Sequence, residues 1–162
     1  MFDTVLGLPL HPLVVHAVVI LLPLAAVLTV AVAAIPGWRR LAPYLAVLNG
    51  AVVVAAITAV QSGESLERRV EQLSRPAELH DHAEWGEKLV PLAIALFLGA
   101  LVIWYTRTRP TLAKVVAGLA LVGAVGTIAL TAYVGHSGAT MVWKDIIANT
   151  KAIGEGGEAV AK

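Results

Sequence analysis

Four long apolar runs constrain this chain more than any other feature. They cover residues 13–35, 41–60, 85–105 and 112–134. Each is close to the ~20 residues needed to cross a hydrocarbon core as a helix. Composition agrees: 58% of the residues are hydrophobic and 14% charged, against roughly 45–50% and about 25% in soluble domains. Too few residues lie outside the runs for a separate soluble domain. The expectation is an all-α integral membrane protein, a four-helix bundle running up-down-up-down. Prolines punctuate it: Pro12 opens the first run, Pro36-Gly37 stops it, and Pro110 precedes the fourth. Pro23 and Pro91 fall inside the first and third runs. Each removes one backbone hydrogen bond and predicts a kink.

Loop charge predicts direction. The first short loop carries Trp38-Arg39-Arg40, and the loop after the third run carries Arg107 and Arg109, with Lys114 just beyond and no acid in either. The long loop at 61–84 has more acids than bases. By the positive-inside rule the short basic loops are cytoplasmic and both termini lie outside, giving a multi-pass protein of the plasma (bacterial inner) membrane. Trp38, Tyr44, Trp104 and Tyr105 then mark the inner interface, and Trp85, Tyr133 and Trp143 the outer one. Residues 1–12 form an outer N-terminal segment, and 13–144 the transmembrane domain. Residues 145–162, with Gly154, Gly156 and Gly157, read as a flexible tail. Residues 141–147 suit a short interfacial helix. The first run lacks the basic flank and small-residue site of a cleavable leader.

An internal repeat is visible. Leu22-Pro23-Leu24-Ala25 with Leu28 resembles Val90-Pro91-Leu92-Ala93 with Leu96, and Gln61-Ser62-Gly63 resembles His136-Ser137-Gly138. Two hairpins of the same orientation would form a parallel repeat; chance similarity among abundant Leu and Ala is the alternative. Small residues at four-residue spacing, Ala51, Ala55 and Ala59 in the second run and Gly123, Thr127 and Thr131 in the fourth, would let helices approach closely. Asn49 is expected to hydrogen-bond a neighbouring helix.

The five histidines carry the chemical signal. All lie near the ends of the runs that the topology brings to the outer side, and ionisable groups near hydrocarbon mark sites. His16 lies about one turn inside Pro12 and is the first candidate ligand, against a satisfied imidazole at the interface. His82 precedes Gly86 on one helical face, where a flat cofactor could approach the backbone. His136 sits between Gly135 and Gly138, which would let the chain turn sharply on leaving the membrane. His11, His80, Glu84 and Glu87 are secondary candidates: His11 fixes a helix start, His80 reads as a loop residue, and the acids orient an imidazole or favour a helix start.

At these residues the chain resembles a membrane family, the domain of unknown function 2231. The matching steps are His11-Pro12-Leu13-Val14-Val15-His16, Ser62-Gly63, His82-Ala83-Glu84-Trp85-Gly86 and Gly135-His136-Ser137-Gly138, between about His11 and Trp143. After His16 this chain has Ala17-Val18 where members often carry Phe-Pro, and its proline comes later, at Pro23. The resemblance implies the fold and the site; its name assigns no activity.

Three functional readings compete. The first is a b-type haem for electron transfer, ligated by His16 with His82 or by His16 with His136, and serving a periplasmic or extracellular carrier. The second is copper or zinc held by His16, His82 and His136 with Glu84 or Glu87. The third is a cofactor-free accessory subunit of a larger membrane complex. Transport is weaker, because no second polar patch completes a path. The absence of cysteine excludes thiolate sites and c-type haem attachment. No nucleotide loop, Ser-His-Asp set or His-Glu-x-x-His motif is present, so the chain reads as a binding protein rather than an enzyme by itself. A net charge of +1 argues against nucleic acid.

Overall fold

The computed structural model describes residues 4–70 and 76–150. A two-residue hairpin comes first. Strand β1 (Thr4–Val5) pairs antiparallel with β2 (Leu8–Pro9), and Leu6 and Gly7 both take positive φ at the turn, as a primed turn requires. Helix α1 (Leu10–Ala34) follows directly. It begins two residues ahead of Pro12, which the first turn tolerates because its N–H groups have no helical acceptor. His11 is therefore helical. A short 3₁₀ segment, Pro36–Leu41, leads into α2 (Ala42–Val70).

The segment expected as a loop at 61–84 is mostly helix. α2 continues to Val70, and α3 covers Pro76–Glu87. Helix-forming Glu, Leu and Arg outweigh the ~1 kcal/mol cost of Gly63, and no proline intervenes before Pro76, which takes the first helical position. α4 (Leu89–Thr106) starts after a break at Lys88. The expected kink of the third run lies here, three residues ahead of Pro91, whose missing N–H would have bonded to Glu87. α5 (Pro110–Asn149) is continuous over 40 residues, about 60 Å at 1.5 Å per residue. It overrides two expectations. Gly135-His136-Ser137-Gly138 makes no exit turn, and 141–149 extend α5 rather than forming a separate helix or joining a tail. Glycine alone does not stop a helix whose flanks are good formers. The remainder of that tail, 151–162, lies outside the described residues.

Four helical stretches are long and apolar enough to cross a membrane. In cross-section they form a square, α1 beside α2 and α5, and α4 beside α2 and α5, with contacts fewest along the diagonals. One apolar cluster at the histidine end includes Val18, Leu22, Ala25, Val52, Ala56, Leu89, Ala93 and Val134. A second, toward the opposite end, includes Val32, Ala42, Leu45, Ala46, Ala100 and Ile103. In α2 the buried small residues are Ala42, Ala46, Ala56 and Ala59, whereas Ala51 faces outward. In α5, Thr127 and Thr131 are buried as expected. Their hydroxyls donate to the carbonyls of Gly123 and Thr127, at 2.8 and 2.7 Å, so burial leaves no donor unpaired. Asn49 Nδ2 donates to Leu45 O at 2.9 Å and reaches Thr29 Oγ1 of α1 at 3.4 Å.

The halves repeat in their packing. His11 heads the buried line Val18, Leu22, Ala25, Thr29 and Val32, and His82 heads Leu89, Ala93, Leu96, Ala100 and Ile103 with the same spacing. On the partner helices, Asn49, Val52, Ala56, Ala59 and Ser62 match Ala124, Thr127, Thr131, Val134 and Ser137. Pro23 and Pro91 fall three residues out of this register. The two hairpins are thus related by an approximate two-fold axis along the bundle.

Candidate functional site

The axis ends between two imidazoles. His11, on the first turn of α1, is half-buried against the far end of α2. Its Nδ1 donates to Ala59 O at 2.8 Å. Its ring covers Gly63 so closely that a Cβ there would lie 3.0 Å from it. His82, on α3, repeats the arrangement against α5. Its Nδ1 is 2.8 Å from Ser137 Oγ, and a Cβ on Gly138 would lie 3.0 Å from its ring. Ser137 and Ser62 each back-bond to their own helix, to Val134 O at 2.9 Å and Ala59 O at 3.1 Å. Each histidine of one helix thus rests on a Ser-Gly step of the next.

These partners bear on the tautomers. A carbonyl only accepts, so His11 carries its hydrogen on Nδ1. With its own hydrogen turned to Val134 O at 2.9 Å, Ser137 accepts from His82 Nδ1–H, and that arrangement leaves the His82 lone pair on Nε2. Both Nε2 atoms keep a lone pair, and neither makes a hydrogen bond among the described residues. The two rings are near enough for the charge of one to act on the other. α3 carries Glu78, Asp81, Glu84 and Glu87 within twelve residues, too many carboxylates for hydrocarbon, so His82 lies beyond the membrane-crossing stretch. There, partial burial and then the charge of His11 hold its pKa below the ordinary imidazole value.

The other candidates are elsewhere. His16 is exposed on the outside of α1, and its Nδ1 turns back to the Pro12 carbonyl of its own helix. Five residues of helix rotate it well away from the face that His11 shares with Val18 and Leu22. His80 and His136 are also exposed. Glu84 pairs with Lys88 at 3.0 Å, and that hydrogen bond and charge draw its carboxyl below the usual range. Lys88 Nζ lies 3.6 Å from the ring centre of Trp85, which meets Tyr133 edge-on at 5.3 Å. Glu87 is exposed. Gly86 faces Val134 at ordinary contact distance, and Gly135 has open space.

Neither expected pairing of His16 assembles, and the set His16, His82 and His136 does not converge. Among the described residues no three His, Asp or Glu side chains could hold a metal ion. The structure brings His82 to His11 instead, and adds Ser137 and Gly63. The signal for His11 was its place at the head of the apolar line, matched in spacing by His82. Depth below Pro12 had favoured His16.

Fold and site together define a multi-pass helical membrane protein with one paired-imidazole site at an end of its bundle. Residues 7–151 match the family described as predicted membrane protein (DUF2231), and the chain belongs to that family. No curated protein and no solved structure matches it.

Proposed function

We propose that this protein carries electrons, holding one haem b between His11 and His82 at the end that loop charge assigns outside the cytoplasm. One observation supports the reading above the others. Two imidazoles from opposite corners of the bundle are anchored through Nδ1, within each other's field, with both Nε2 lone pairs uncommitted. Ligand histidines are held in this way, the far ring nitrogen donating to a carbonyl or other acceptor while the near one faces the metal. His11 and His82 would hold haem b through these nitrogens, and the group would supply one-electron redox chemistry. A soluble carrier on the same side would be the exchange partner.

A copper(I) ion is the second reading, favoured by the count of ligands. Two imidazoles suffice for it, whereas zinc takes four ligands. The test is the full chain expressed with haem supplied and purified in detergent. Reduced-minus-oxidised spectra are expected to show b-type bands that persist in His16→Gln and His136→Gln and vanish in His11→Ala and His82→Ala. Stoichiometric copper without porphyrin would transfer the proposal to the second reading. Protein free of both after such expression would overturn it in favour of a cofactor-free subunit.

A further inference from the structure

The two imidazoles are anchored unequally, and the difference lies in one residue. His11 donates to a backbone carbonyl, which accepts whatever the side chains around it are. His82 Nδ1 meets the Ser137 hydroxyl, whose own hydrogen has a second acceptor in Val134 O, so that an oxygen lone pair is free to accept from Nδ1–H. Without that hydroxyl nothing described selects between the two neutral tautomers of His82. We infer that Ser137 is a positioning residue that keeps the hydrogen of His82 on Nδ1 and so reserves Nε2 for a ligand. Ser62 occupies the equivalent place in the other hairpin and does not have this role, since its hydroxyl and His11 Nδ1 both donate to the Ala59 carbonyl. The pair therefore contains its own control.

The inference rests on the ligand reading above for its purpose, but its first readout needs no cofactor. ¹⁵N-histidine spectra of the full chain in micelles, prepared without haem or added metal, report each tautomer. The native protein is expected to show His82 as the Nδ1–H form. Ser137→Ala should mix the two tautomers, Ser137→Thr should restore the native signature, and Ser62→Ala should leave His11 and His82 as they are. On haem-loaded protein, Ser137→Ala should weaken retention of the group by about 10–100-fold, with no such loss in Ser62→Ala. A pure Nδ1–H His82 in Ser137→Ala, or equal disturbance by Ser62→Ala, would overturn the inference. If haem never binds but the tautomer mixes, the role of Ser137 stands and the haem reading alone fails.

Discussion

Gly63 and Gly138 are where single atoms matter most, because each lies beneath an imidazole that a methyl group would approach to 3.0 Å, closer than ordinary contact. Gly63→Ala should push His11 aside and Gly138→Ala should push His82 aside, at a cost of about 1–3 kcal/mol for overpacking. Thermal unfolding in detergent and the binding spectrum read this. Gly135→Ala, with open space around it, should leave the spectrum unchanged and gain up to ~1 kcal/mol from the helix preference of alanine, and equal losses in all three variants would refute the close-packing argument. His82 makes stability depend on pH. Its folded pKa lies below the ordinary value near 6.5, so the unfolded chain takes up the proton more readily. Stability is then full above about pH 6.5 and declines as pH falls through the window down to the folded pKa. The melting temperature should drop on acidification by more in the native protein than in His82→Gln. At this scale the sequence was partly legible. The place of His82 before an apolar run is legible in the sequence. His11 is harder to single out, because the proline beside it suggests a helix boundary and hydrogen-bond partners from another helix have no sequence signature.

At the scale of elements, the apolar runs were legible because lipid demands them, and their ends were not. Hydropathy marks where hydrocarbon begins, whereas a helix stops where its backbone loses partners, and α2 and α5 continue well past the first point. Both extensions matter, since the serines and glycines under the two rings stand on them. Asn49 is the element-scale anomaly. Its side chain is buried within the bundle and its Oδ1 has no hydrogen-bond partner among the described residues. Asn49→Leu removes that orphan acceptor while the Thr29 hydroxyl keeps its bond to Ala25 O at 2.7 Å. The variant should be more stable by about 1 kcal/mol, read as a higher melting temperature in the same detergent. A lower one would mean that the 3.4 Å contact to Thr29 outweighs the cost.

For the whole molecule, the contacts that join the two hairpins, α1 with α5 and α2 with α4, are as extensive as those within them. In lipid such association rests on close packing rather than on hydrophobic exclusion, and the small buried residues supply it. Chains cut between residues 70 and 76 and co-expressed should therefore reassemble and regain the paired site. Neither half alone has both imidazoles. Co-purification of the halves with the native ¹⁵N signature of His82 is the expected result, and halves that never co-purify would show that the covalent connection is needed.

The unequal footing of the two rings also bears on how such a protein can change over generations. A backbone carbonyl is written in no single codon, so point mutation cannot remove the acceptor of His11, although it can crowd the ring from Gly63. The support under His82 is a serine, open to replacement by one base change. The two footings thus differ in kind, one acceptor supplied by the backbone and one by a side chain, and the second is where a single substitution can retune the hydrogen bonding of the pair.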